Sequence, residues 1–419
     1  MATRVDTLEP LPTPEPERPS ARRLSPSEWV RENLFGSKLD AALTAVFALL
    51  IAWALYRVGR FVLVDARWEV IDRNITNLMV ARFPRDELWR IWTALFVLAA
   101  SLGFGAGAVT TSRRGDVEEG RAAPPGRVAV LRRAGPVVAL VAVLLWFASS
   151  LEATILTFGV AAVSAGAYLV GRRVPWRAAR IAPIVLGGIV IAFLIVAAFG
   201  GVGWDNWGGL LLTLFLAVAG ILISFPLGVL LALGRRSSLP AVRVVCVAYI
   251  ELVRGVPLIA LLFMGAFMIG FFLPPGVDRP SLVTRALIAL VLFTAAYVAE
   301  IVRGGLQSVP RAQIEAAQAL GLSPLRVTGL VVLPQALRNV IPALVGQFIS
   351  LYKDTSLVFI VGLTDLLGVA ENITKQPDFL AQGLIVETLL FASFIYWTGS
   401  YWMSRESQRL ERRLGLGER

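Results

Sequence analysis

Histidine is absent from this sequence of 419 residues, and cysteine occurs once, at Cys246. The first absence excludes histidine-based acid–base catalysis and histidine metal ligation. A single cysteine inside an apolar segment forms no internal disulfide and no thiolate cluster. No G-x-x-x-x-G-K-[ST] phosphate loop occurs, so the chain does not supply ATP hydrolysis by that route. Charge is scarce too. Only 16% of residues are charged and 56% are hydrophobic, against about a quarter charged in a soluble domain. Lysine is confined to positions 38, 353 and 375, so the net charge of +11 is carried by arginine. Those arginines sit in short segments flanking apolar runs, as in loops retained on the cytoplasmic side. No basic, aromatic-bearing soluble stretch accompanies them, and nucleic acid is not an expected partner. The first apolar run begins near Leu39, behind a charged leader with Pro10, Pro12, Pro14, Pro16 and Pro19. That leader does not resemble a cleavable signal peptide, and 1–38 reads as a disordered cytoplasmic tail.

What the sequence has is long uncharged runs. A helix needs about 20 apolar residues to cross a bilayer, and the fold expected is all-α, a polytopic membrane helix bundle in contact with lipid. About ten spans are expected, at 39–56, 91–110, 134–150, 153–170, 181–201, 208–234, 244–273, 282–303, 338–362 and 382–403. The stretch 134–170 is too long for one untilted crossing and is divided near Ser149 and Glu152; nine spans remain an alternative. Arginines at 113–133, 172–180, 235–243 and 405–413 then share one side, which makes both termini cytoplasmic. One loop disagrees. Residues 57–90 carry Arg57, Arg60, Arg67, Arg73, Arg82, Arg85 and Arg90 on the outer side.

A division is expected near 205. Spans in 39–204 hold few interior polar groups and read as accessory helices. Nearly every span in 205–404 carries charged or amide residues, which are costly at membrane depth and mark an interior or a wet cavity. Residues 405–419 form a basic amphipathic tail expected on the inner membrane surface.

The most informative stretch is PRAQIEAAQALGLSPLRVTGLVVLP, Pro310 to Pro334. Pro310 can open a short helix and Gly321 suits the left-handed position that ends it. Ser323 is then an N-cap, with Pro324 at the first position of a second helix. A helix–turn–helix between two spans is poised to meet a soluble partner, and small Ala316 and Ala317 would admit a close approach. Glu315-Ala316-Ala317, Gly321 and Leu333-Pro334 reproduce the EAA signature of importer-type ABC transporter permeases, with Val331 where Ile is usual. YIELVRGVPLI, AAYVAEIVRGGL and LYKDTSL resemble the polar amino acid uptake group, over about 208–404. The extra N-terminal spans and overall length are similar to the larger membrane subunits of general L-amino-acid permeases.

This resemblance implies that the last five spans form an ABC permease core in a bacterial inner membrane. It implies that 310–334 docks on cytoplasmic ATPase subunits, two per transporter, through Glu315, Ala316, Ala317 and Gly321. The chain would hold no cofactor, ATP and Mg being bound by the ATPase. A second permease subunit, identical or related, and a periplasmic or surface amino-acid-binding protein complete the expected partners.

Three polar groups stand out from the residues themselves. Lys353 and Asp354 lie deep in the ninth span, and neighbours on a helix point about 100° apart, so mutual pairing is awkward. With Thr355 and Ser356 they are candidates for the substrate pathway; an internal salt bridge is the alternative. Glu251 and Arg254, and Glu300 and Arg303, are spaced to pair on one helical face, as packing contacts or a gate. Gly255-Val256-Pro257 should break the helix beside the first pair. Trp89, Trp92, Trp204, Trp207, Trp397 and Trp402 read as interfacial anchors. An ion- or proton-coupled secondary transporter is the rival reading, but it predicts related halves and leaves 310–334 unexplained.

Overall fold

The computed structural model describes residues 25–118, 151–173 and 201–413, together with Gly187. It divides into two compact units, Met1–Ala66 and Arg67–Arg419. Expected spans 134–150 and 181–201 lie outside the described residues, save Gly187 and Gly201.

In the first unit, helix α1 (Pro26–Leu34) falls inside the tail expected to be disordered. The cause is local. Ser25 accepts from the Glu28 amide at 3.3 Å while the Glu28 carboxylate accepts from the Ser25 amide at 2.9 Å, a capping box with Pro26 in the first turn. Helix α2 (Lys38–Arg60) follows behind the Ser37 cap and runs on through a π turn, Phe61–Asp65.

In the second unit, no strand occurs among the described residues. Helices α3 (Glu69–Val80), α4 (Leu88–Glu118) and α5 (Leu151–Gly171) precede α6 (Gly209–Arg235). Helix α7 (Pro240–Gly255) gives way to α8 (Leu258–Phe263), then come α9 (Leu282–Ser308), α10 (Arg311–Ala319) and α11 (Leu333–Asp354). The chain closes with α12 (Leu366–Ile373) and α13 (Ile385–Arg413).

Six helical stretches among the described residues are long and apolar enough to cross a membrane: Lys38–Asp65, Arg85–Ala108, Leu151–Gly171, Gly209–Arg235, Leu282–Ser308 and Pro324–Val361. The expected single span 244–273 is instead a bent pair, Pro240–Gly255 and Leu258–Phe272, whose axes meet at 107°. Val256 is extended (φ −105°, ψ 136°), as a residue before proline is driven to be. Residues 385–403 of the last expected span lie within α13, which is not among those six stretches, and this one helix carries both the apolar stretch and the basic residues up to Arg413.

Helix α9 is the centre of this unit, with 61% of its most apolar stretch buried. Its alanines Ala286, Ala289, Ala295, Ala296 and Ala299 are buried, and α6, α7, α8 and α11 pack around it. Small residues at such contacts let helix backbones approach closely. Trp207 departs from the anchor expected of it. It is 6% exposed and packs edge-on to Phe83 and Phe215. Trp89 and Trp397 do keep exposed rings.

A buried polar joint ties the far end of the core together. Asp365 follows the span Pro324–Val361 and is fully buried. Its carboxylate caps α12, accepting from the amides of Leu367 and Gly368 at 3.1 Å, and accepts at 3.1 Å from the Tyr396 hydroxyl of α13. The Leu366 amide donates to Thr213 Oγ1 of α6 at 3.1 Å, and the Gly209 amide donates to the Thr364 carbonyl at 2.7 Å. Gly209 has φ +59°, and a Cβ there would stand 2.4 Å from the Leu78 carbonyl oxygen of α3, so only glycine fits.

Burial pushes the Asp365 carboxyl up from 3.8 to about 7, although its hydrogen-bond donors pull the other way. A folded-state value above the unfolded one means that the native state holds the proton more tightly. The stability this group contributes is therefore full below 3.8 and lost as pH rises through about 7. Asp365→Asn keeps a capping oxygen and removes the titration. Melting temperatures in detergent across that window should fall with pH in the wild type and fall less in the variant; parallel curves would exclude this assignment.

Candidate functional site

The segment 310–334 folds as two helical pieces around a tight turn. Pro310 precedes α10, and Gly321 sits at φ +76° with its amide donating to the Gln318 carbonyl at 2.9 Å. The Leu322 amide donates to the Ala317 carbonyl at 3.3 Å, completing the left-handed helix stop. Ser323 has cap geometry (φ −63°, ψ 154°), with Pro324 in the first turn of Pro324–Arg326, although its hydroxyl makes no capping bond. A π turn, Val327–Val332, leads into α11 at Leu333-Pro334.

Ala317, Val327 and Val332 are buried in the cluster formed with Val302, Leu306 and Ala336, which fixes the segment to the core. Glu315 and Ala316 are exposed. Leu320 and Leu325, on either side of the turn, keep 83% and 84% of their surface. Two leucines bare beside a rigid turn form an apolar prominence, as interaction surfaces do.

Next to this segment lies a charged cluster shared by three helices. Arg303 donates to both oxygens of Glu300, at 2.9 and 2.5 Å, in the fork geometry that guanidinium and carboxylate favour. The other pair suggested by spacing, Glu251 with Arg254, does not form. Glu251 instead meets Arg235, from the end of α6, at 3.0 Å, and Arg235 also reaches Glu300 at 3.4 Å. Arg254 lies 3.7 Å from Glu300, with its guanidinium 5.5 Å from the Tyr297 ring centre. Its buried Nε has no acceptor among the described residues. Three guanidiniums against two carboxylates leave one positive charge in excess. Gly255 and Pro257 bound the 107° break directly beyond Arg254, so the cluster joins the break to α6 and α9.

Lys353 and Asp354 close α11, where the helix tightens to a 3₁₀ stretch, Thr355–Val361. Lys353 is exposed and forms no ion pair with a carboxylate among the described residues; Asp354 and Ser356 are half-buried. Thr355 is fully buried and donates to the Tyr352 carbonyl at 2.7 Å, so its hydroxyl is already engaged by its own helix. The segment 310–334 and the charged cluster thus share one end of the core, and Lys353 to Ser356 lie far along α11 from them.

Three polar residues at these sites escaped the sequence reading. Arg235 counted only as a loop charge, because its partner Glu300 is 65 residues away. Arg285 donates to the Ala266 carbonyl in the π turn Met264–Met268, where regular helix bonding lapses. Asp365 precedes an apolar run, a local capping signal that was legible.

The family model of the "binding-protein-dependent transport system inner membrane component" matches residues 224–415. The inner membrane amino-acid ABC transporter permease protein YhdY of Escherichia coli (strain K12) is 36% identical over 422 residues, 96% of this chain and 97% of that protein. The glutamate/glutamine/aspartate/asparagine transport system permease protein BztC of Rhodobacter capsulatus is 36% identical over 441 residues, 98% and 97% of the two chains. A second permease protein of the system of the same name in that organism, BztB, is 44% identical over 136 residues, 32% of this chain and 31% of BztB. An all-α bundle of membrane-length helices, matched over 96% and 98% of its length by two such relatives, this chain belongs to the binding-protein-dependent transport system inner membrane components, the permease subunits of ABC transporters.

Proposed function

We propose that this chain is the membrane-spanning subunit of an ATP-driven amino-acid importer, in which it forms part of the translocation pathway and couples to a separate ATPase. The observation that carries the reading is the bare leucine pair at the Gly321 turn, on a segment anchored to the core by Ala317 and Val327. Glu315, Ala316, Ala317 and Gly321 are the ATPase-coupling residues in this reading. The ATPase, two copies per transporter, binds ATP and Mg and moves the coupling segments.

The pathway lies along Lys353, Asp354 and Ser356, with Thr355 as a structural neighbour. An ammonium and a carboxylate with no mutual ion pair complement the two charged groups of an amino acid. The cluster of Glu251, Arg254, Glu300 and Arg303, with the break at Gly255 and Pro257, is the gate at the coupling end. A second permease chain completes the pathway. BztC and BztB carry the name of one transport system and both resemble this chain, which favours a related rather than identical partner. In this reading 39–204 are accessory helices, 205–404 the core, and both termini are cytoplasmic in a bacterial inner membrane. A soluble amino-acid-binding protein delivers the substrate.

The test is uptake of radiolabelled L-glutamate and L-glutamine into proteoliposomes of the purified complex, with binding protein outside, ATP inside and ion gradients collapsed. Uptake should require ATP, and Lys353→Ala with Asp354→Ala should lower it by about tenfold or more, with the ATPase still bound. Uptake that follows an ion gradient instead would overturn the reading; full uptake by the double variant would remove those residues from the pathway.

A further inference from the structure

The arginine-rich loop that sat badly with the charge rule has a structural explanation for all its arginines from 67 to 90 but one. Arg67 donates to Gln382, through its side-chain oxygen at 3.2 Å and its carbonyl at 2.5 Å. Arg73 pairs with Glu69, and Arg85 donates to Asn77 Oδ1 at 2.8 Å. Arg90 pairs with Glu87 at 2.5 Å and stacks on Trp89. Arg82 alone has no partner among the described residues, and it lines a pocket of about 240 Å³.

That pocket is built jointly by α3 and α12. Asn77, Thr364, Asn372 and Gln376 supply polar walls above Ile373, and Arg82 is the one charged lining residue. The walls are held in place. Buried Asn74 accepts from Asn77 Nδ2 at 3.2 Å and from Gln376 Nε2 at 3.1 Å. Beneath them Ile71 and Leu78 pack, fully buried, on Leu366 and Ile373. An exposed guanidinium without a partner among the described residues, set among amide and hydroxyl groups, suits a carboxylate.

The pocket's place in the fold selects the source of that carboxylate. Helix α12 follows the far end of the span that begins at the coupling segment, roughly 40 Å of helix away. In the importer reading, on which this inference rests, that end receives the soluble delivering protein. The volume is also below the roughly 300–1,000 Å³ that encloses a small ligand, so it fits one protruding side chain better than a whole ligand.

We infer that this pocket receives an aspartate or glutamate side chain of the delivering protein, with Arg82 as its ion-pair partner. Helix α3, which precedes the permease core in sequence, is thereby part of the docking surface.

The experiment uses the whole complex in proteoliposomes and the binding protein that supports uptake in the assay above. The concentration of binding protein that half-maximally stimulates ATP hydrolysis should rise about tenfold or more for Arg82→Glu. It should rise less for Arg82→Lys, with basal hydrolysis unchanged in both. Suppressors of Arg82→Glu selected for uptake should replace an acidic residue of the binding protein with a basic one. An unchanged half-maximal concentration for Arg82→Glu overturns the inference alone. So does Arg82-dependent binding of L-glutamate to the complex without binding protein, which would make the pocket a small-molecule site. A wild type that no soluble protein stimulates removes the importer reading and this inference together.

Discussion

Replacing Glu300 with Gln should lower the thermal stability of the chain far more than the same change at Glu251. Glu300 is the shared acceptor of the charged cluster. Arg303 holds it with two hydrogen bonds, and Arg235 and Arg254 lie 3.4 and 3.7 Å away. The amide leaves three guanidiniums facing each other with one carboxylate, and it strands Arg254 beside the Tyr297 ring. Breaking a buried ion pair from one side costs about 3–5 kcal/mol. The Glu300 side chain keeps 24% of its exposure, so a loss of about 2–3 kcal/mol is expected. Glu251 is 56% exposed and meets Arg235 alone; its loss should stay within about 1 kcal/mol.

Melting curves in detergent for the two variants separate these cases, and equal shifts would mean that the cluster does not centre on Glu300. Arg303→Lys adds a finer check. Lysine keeps the charge but cannot reproduce the two-pronged contact, so it should fall between wild type and Glu300→Gln.

The contrast between Glu300 and Glu251 also shows where the sequence was readable. Spacing of three residues placed Glu300 beside Arg303, because that contact lies within one helix. The same spacing suggested Glu251 with Arg254, and there a tertiary neighbour won: α6 delivers Arg235 to Glu251, and Arg254 turns to α9. No local pattern encodes contacts between separate helices, such as that of Arg235 with Glu300, 65 residues away. The backbone of 310–334 was legible at its turn, since Pro310, Gly321 and Pro324 constrain their own backbone angles whatever surrounds them, although the Ser323 hydroxyl makes no capping bond. The break at Val256-Pro257 was legible for the same reason, but its 107° angle was not, because packing on α9 sets it. Helix α3 lay furthest from view. Its loop looked like a charge anomaly, and only the contacts of Arg67, Asn74 and Ile71 reveal it as a wedge beside α12 and α13.

In the importer reading, replacing both Leu320 and Leu325 with Asp should weaken binding of the chain to the ATPase without unfolding it. Both side chains are more than 80% exposed, so they contribute little to the core. Burying a leucine against a partner is worth about 1.5–3 kcal/mol. Losing two such contacts, and placing two carboxylates where the leucines would be buried, should weaken association by about a hundredfold or more.

The most direct measurement is co-purification of the detergent-solubilised chain with its ATPase, wild type against Leu320→Asp with Leu325→Asp. The wild type should bring the ATPase down and the double variant should lose it, at an unchanged melting temperature of the chain itself. An ATPase that associates equally with both, or with neither, would contradict the assignment of 310–334 as the coupling segment.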